Sequence, residues 1–203
     1  MNEQVAKALA EARALGFLGP GPLEVHEASA QAFIAALGAV EGAALDLGSG
    51  GGVPGLLLAA HYRDVTWTLL DIHRRRTSFL VRTVALLGWA DRVSVVRESA
   101  DVAARGLGLR AQMDVVVARS FASPAITAEC AAGFLRVGGR LAVAEPPDSA
   151  PGDRWDEPEL ARLGLASESA GRIAIFRQVA LAADTTPRTW RSLTRAPLWE
   201  RFT

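Results

Sequence analysis

From residue 43 onward the chain alternates short apolar runs with amphipathic stretches, and that alternation predicts a βαβ series feeding a parallel sheet. The runs at 43–47, 65–70, 93–96, 114–118 and 140–144 read as strands. The unbroken valines of 114–118 mark that strand as buried on both faces. Residues 54–60, 74–87 and 124–135 have helical spacing, with Phe79, Leu80, Val84 and Leu87 on the inward face of the second. Gly138-Gly139 reads as a tight turn into the strand at 140–144. Ahead of the series, residues 1–15 read as a surface helix, and two Gly-Pro pairs within 16–22 break it. A second helix at 25–37 then presents Phe33, Ile34 and Leu37 on one face. Beyond residue 145 the signal weakens to a loop at 146–153, a short helix at 158–163, a strand at 172–178 and a tail from 185 without clear period. With no internal repeat or second core, the organisation is one α/β domain over 41–203 with an N-terminal helical extension over 1–40 packed on it.

Composition narrows the class. Half of the 203 residues are apolar and 22% are charged, enough for a substantial core, and 22 basic against 22 acidic residues leave no net charge. The total therefore announces no nucleic-acid binder, although a local basic stripe is compatible with it. Lys7 is the only lysine among the basic residues, a bias that accompanies abundant Ala, Gly and Leu and fits a GC-rich coding sequence. Cys130 is the only cysteine, so no disulfide forms within the chain. The start carries no signal-peptide pattern and no run is long enough to span a membrane, so the expectation is a soluble cytoplasmic protein.

The strongest chemical signal is D-x-G-x-G-x-G at Asp46, Gly48, Gly50 and Gly52, directly after the first strand of the series. Glycines there let the loop turn tightly and let a ligand approach the backbone, at the edge where open α/β sheets bind nucleotides. Reading Gly50, Gly52 and Gly55 as G-x-G-x-x-G makes a nicotinamide or flavin dinucleotide fold the rival. Against it, Pro54 has no N–H to offer a pyrophosphate, whereas Asp46 suits a cationic ligand such as a sulfonium amino acid. Asp71 ends the second strand, where a carboxylate takes both ribose hydroxyls or caps the following helix. Asp101, with Ala100, follows the third strand and is placed to meet an adenine amine; otherwise it is an ordinary loop acid or cap. Three acids at three successive strand ends favour a class I, Rossmann-like, S-adenosylmethionine-dependent methyltransferase: a doubly wound, mostly parallel seven-stranded sheet.

The acceptor side is read by elimination. Arg119-Ser120-Phe121-Ala122-Ser123-Pro124 after the fourth strand is not an Asn-Pro-Pro-Tyr loop for exocyclic amines. Cys130 sits mid-helix and reads as core, not as the nucleophile of a C5-pyrimidine mechanism. His26, His61 and His73 are scattered and suggest no metal ligand set. An acceptor that needs no deprotonation, such as guanine N7, fits this absence.

These residues carry a specific resemblance. The segment from Leu45 to Leu56, with Val53-Pro54-Gly55 after the glycines, resembles the first motif of the bacterial small-subunit ribosomal RNA guanine-N7 methyltransferases, formerly glucose-inhibited division protein B. Arg75-Arg76 followed by Phe79-Leu80, the Ala118 to Ser123 segment, and Pro187-Arg188 with Ala196-Pro197-Leu198 resemble further family segments. The resemblance implies S-adenosylmethionine as cofactor and small-subunit ribosomal RNA, or the small subunit itself, as partner; a monomer without a metal is the accompanying expectation. It implies that Gly48 and Val53 line the methionine and ribose side, that Ala100 and Asp101 meet the adenine, and that Arg119 closes over the cofactor at the acceptor mouth. Four departures fall on the acceptor side: Ser99 where the family has Arg, Glu145 where it has Lys, no N-terminal Asn-Leu-Thr, and no Asp-Ser after His26.

Three functions follow. The first is guanine-N7 methylation of ribosomal RNA, with Arg172, Arg177, Arg188, Arg191, Arg195 and Arg201 facing phosphates and Trp190 or Trp199 stacking on bases. Arg188 and Arg191 are its central RNA contacts. The second is a paralogue acting on a small molecule or other non-ribosomal acceptor, motivated by Ser99 and Glu145. The third is a non-catalytic S-adenosylmethionine-binding module.

Overall fold

Side-chain parity along each strand divides the core in two. In the computed structural model, which describes residues 3–19, 21–106, 108–150 and 152–200, the chain opens with helices α1 (Glu3–Ala14) and α2 (Leu23–Leu37). The alternating series then runs β1 (Ala43–Leu47), α3 (Gly55–His61), β2 (Thr66–Leu70), α4 (Arg74–Leu86), β3 (Val93–Val96), α5 (Ala100–Arg105) and β4 (Met113–Ala118). It continues through α6 (Pro124–Phe134), β5 (Leu135–Ala144), α7 (Glu157–Arg162), β6 (Leu165–Ser169), β7 (Ile173–Gln178) and α8 (Trp190–Arg195). Leu45, Leu47, Val116, Leu141 and Phe176 join one cluster with α5, α6 and the tail. Their neighbours Ala44, Val115, Val117, Ala142 and Ile175 join the other, against α2, α3 and α4. β4 is thus buried on both faces, as its valines require.

The seven strands lie in the order β3-β2-β1-β4-β5-β7-β6. β1 pairs in parallel with both β2 and β4, so the chain reverses direction across the sheet between β1 and β4. At such a switch point the βα loops splay apart and leave a crevice beyond the carboxyl ends of the strands. β7 runs antiparallel to β5, and β6 antiparallel to β7.

Three elements escape the periodicity. β6 reads LASES and buries little beyond Leu165, because it is an edge strand with one wetted face. α5 and α8 have six residues each, too short for a repeat to show. The Gly138-Gly139 turn is also corrected: β5 begins at Leu135 and bends there, with Gly138 at φ +85° and a register shift against β4. Among the described residues, no helix is long and apolar enough to cross a membrane.

Candidate functional site

The glycine loop is fastened from below. Gly48 and Ser49 donate backbone N–H bonds to the Leu70 carbonyl at 2.9 and 2.8 Å, drawing the loop across the end of β2. Gly48 has φ +76°, and a Cβ there would come within 2.6 Å of Phe121 Cδ2, so only glycine fits. Gly50 donates its N–H to Asp71 Oδ2 at 2.9 Å.

Asp46 lies under this loop and is 1% exposed. Its Oδ2 accepts the Gly55 N–H at 3.0 Å, and Ser49 Oγ donates to its backbone carbonyl at 2.9 Å. Its Oδ1 is buried with no partner. Burial pushes this carboxyl up to about 7, against the opposing pull of the Gly55 and Ser49 bonds and the Arg119 charge. A buried acid with an open acceptor favours one further donor, and Asp46 itself lines neither of the two cavities described below.

Asp71 bridges the loop and α4. Its Oδ1 accepts the His73 N–H at 2.8 Å while Oδ2 holds Gly50, and Arg76 stands 3.6 Å away. It borders a cavity of about 190 Å³ together with Gly48, Ala100, Phe121 and Trp190. Arg119 lies beyond β4 on a second cavity of about 650 Å³, which Phe121, Glu145, Arg154, Trp155 and Arg172 also line. Phe121 and Ser120 border both cavities, and Ser120 holds a positive φ of 55°, a strained conformation at the partition between them.

Several expected residues prove to have other work. Val53 does not line either cavity; its side chain is buried with Val5, Leu9, Ala30 and Leu57. Gly52 is a packing position, since a Cβ there would strike Leu56 and Leu80. Asp101 turns its carboxylate to the tail: Oδ2 accepts from Arg105 at 3.2 Å and from the Trp190 backbone N–H at 2.9 Å. Its buried Oδ1 has no partner.

Arg188 is not available to a phosphate. Its Nε and Nη2 donate to Glu129 at 2.8 and 2.6 Å, and its backbone N–H donates to the same carboxylate at 2.9 Å. Glu129 is itself 2% exposed while the Arg188 side chain stays half-buried above it, and the bond to this carboxylate raises the Arg188 pKa. Trp199 is likewise buried, its Nε1–H donating to the Arg154 carbonyl at 3.0 Å. Arg177 is ion-paired to Glu168. Arg172, Arg191 and Arg195 are exposed, and Arg201 lies outside the described residues. Cys130 is core, its thiol pushed up by burial and by Glu129.

Two partners were invisible to sequence reasoning. His26 on α2 accepts from Arg119, and Val25, Ala28, Ser29 and Ala32 of the same helix wall the larger cavity. Glu145 accepts from Arg154 at 2.9 Å and from Trp155 Nε1–H at 2.6 Å, so the acid is neutralised where it stands. Phe121 carried a signal, its place in the segment after β4. His26 carried only its place in the resemblance, as the histidine that lacks the Asp-Ser after it. Among the described residues, no group of three or more His, Cys, Asp or Glu side chains could hold a metal ion.

Comparison with known proteins bears on this geometry. A family model described as GidB, rRNA small subunit methyltransferase G, matches residues 29–145, more than half of the chain and the span that carries Asp46, Asp71 and Arg119. The Ribosomal RNA small subunit methyltransferase G of Synechococcus sp. is 32% identical over 147 residues, covering 71% of this chain and 55% of that protein. The protein of the same description from Salinispora tropica is 43% identical over 99 residues, covering 48% of this chain and 41% of its own length. The chain spans about half the length of the curated relatives it matches. A cofactor-bound protein from MTB has the same fold, with a TM-score of 0.60 at 17% identity over 89% of this chain and 92% of that one.

Proposed function

The chain belongs to the family of rRNA small subunit methyltransferase G, and from that premise we propose that it methylates guanine N7 of small-subunit ribosomal RNA with S-adenosylmethionine. The observation that carries the reading is Asp46 Oδ1, a buried acceptor without a partner beneath a glycine loop at the switch point. The residues fit the cofactor on that ground. Asp46 would take its ammonium group, and Gly48, Asp71 and Ala100 border the cavity for its nucleoside. When bound, S-adenosylmethionine supplies a methyl group on a sulfonium and leaves as a neutral thioether.

The chain's own part in the reaction is positioning. Guanine N7 attacks with a lone pair and carries no proton, so no general base is needed. The larger cavity accords with this: its lining titratable groups are Arg119, Glu145, Arg154 and Arg172, and Glu145 is spent on Arg154 and Trp155. Phe121, shared by both cavities, would separate donor and acceptor pockets and exclude water between them.

For the RNA, Arg74, Arg75 and Arg76 fill the first turn of α4, which holds no acidic residue. A helix N-terminus is already positive, so three arginines there oppose the local preference and invite a polyanion. Arg172 and Arg191 extend the surface. The neutralisation of Glu145 supports RNA over a small-molecule acceptor, because the mouth does not present a bare acid. We place the activity in the cytoplasm, with the enzyme acting as a monomer.

The test is transfer of tritiated methyl from S-adenosylmethionine to small ribosomal subunits from a strain lacking this gene, with Asp71→Ala as the blank. Label recovered as 7-methylguanine, and absent with the variant, is the expected result. Cofactor binding without any label in RNA would overturn the ribosomal acceptor.

A further inference from the structure

Trp190 opens α8, far along the chain from the strand ends, yet it lines the cavity of about 190 Å³ with Gly48, Asp71 and Ala100. Buried anchors put it there. Its backbone N–H donates to Asp101 Oδ2 at 2.9 Å, and two residues earlier Arg188 is clamped on Glu129. Next to Arg188, Pro187 packs so tightly on α6 that a Cβ on Gly133 would come within 2.8 Å of its Cδ. Trp190 remains 40% exposed, its apolar ring held at a cavity wall. It meets Phe121 edge-on, with ring centroids 5.9 Å apart and planes at 66°. Phe121 in turn rests against Gly48, which lines the same cavity.

Two aromatic side chains at one cavity, on a wall shared with a carboxylate able to take a ribose diol, match the flat apolar face of a purine. Stacking or edge contact on aromatic rings accepts any base, because every base has a π face. We propose that Trp190 and Phe121, packed edge to face, form an L-shaped aromatic clamp in whose corner the purine of the nucleoside cofactor sits, one ring against its face and the other against its edge, so that the C-terminal tail supplies one wall of the cofactor site. The proposal rests on the S-adenosylmethionine reading above. It gives the Asp101 and Glu129 contacts a purpose: both acids hold the tail in register so that one indole stands at the pocket.

The experiment is calorimetric binding of S-adenosylhomocysteine and, separately, of adenosine to the full chain, to Trp190→Ala and to Trp190→Phe. Trp190→Ala is expected to weaken both ligands by the same factor, about tenfold, because both carry the purine. Trp190→Phe keeps an aromatic face and stays within about threefold of wild type. The tail's anchor on Asp101 is a backbone N–H, which every variant retains, and thermal melting checks this. Should Trp190→Ala melt early, Trp190→Leu keeps an apolar contact with Phe121 and replaces it in the comparison. Wild-type binding with an unchanged Kd in the ring-less variant overturns the clamp and leaves the cofactor reading intact. Weakened S-adenosylhomocysteine with unchanged adenosine also overturns it, since the ring would then touch the other end of the ligand. A wild-type chain that binds neither ligand overturns the cofactor reading, and the clamp with it.

Discussion

His26 Nδ1 lies 3.2 Å from both terminal nitrogens of Arg119, so a helix ahead of the sheet holds the arginine at the wall of the larger cavity. An imidazole nitrogen that accepts from a guanidinium must be unprotonated. Burial, Arg119 and Arg13 accordingly hold His26 below its usual pKa. The stability this contributes is complete above the unfolded value near 6.5 and is lost as pH falls through the lower folded value. Methyl transfer is therefore expected to fall on the acid side in step with Arg119 release. His26→Ala should lose about 1.5–3 kcal/mol of stability, the range for a hydrogen bond to a charged group. A pH–rate profile and thermal melts on both proteins check this, and an unchanged acid limb in the variant would refute it.

Asp46 titrates in the opposite sense. Its carboxyl is raised from 3.8 to about 7, so its contribution to stability is complete below 3.8 and is lost as pH rises through about 7. Asp46→Asn should therefore gain stability relative to wild type at pH 8, by a few kcal/mol at most, and little at pH 4. Binding of S-adenosylhomocysteine should strengthen in wild type as pH rises through about 7, because the ionised acid meets the ligand's ammonium. Calorimetry at several pH values reads the second effect, which the Asn variant should lack.

Two neighbouring arginines should separate cleanly. Arg188→Ala strips a buried Glu129 of its partner and is expected to cost about 3–5 kcal/mol. Exposed Arg191→Ala should leave the melting temperature near wild type and lower the salt slope of RNA binding by about one. Denaturant melts and filter binding across a salt series measure both. A stable Arg188 variant with a reduced salt slope would reverse the assignment.

Glu145 stands where the family resemblance leads one to expect lysine. Its carboxylate accepts from Arg154 and Trp155, so Glu145→Lys sets two cations together in a half-buried site and should destabilise by about 3 kcal/mol or more. Adding Arg154→Glu is expected to recover part of that loss. A double-mutant cycle of melting curves measures the coupling, and independent losses would show that the two residues act separately.

What the sequence determined by itself is local and periodic. Short apolar runs between amphipathic stretches announced the strands, and side-chain parity along those strands is the reason the core divides into two clusters. A glycine loop after a strand, followed by acids at the next two strand ends, placed Asp46, Asp71 and Asp101 along one edge of the sheet before any coordinates. Such readings succeed because backbone geometry repeats over two to four residues. Tertiary structure alone decided which side chains met across long separations: Arg119 with His26 at 93 residues, Trp190 with Asp101 at 89, Arg188 with Glu129 at 59. An arginine in the tail looks the same in sequence whether it meets a phosphate or a buried carboxylate. Only packing, which sets the desolvation of Glu129 and so demands a partner for it, distinguishes Arg188 from Arg191.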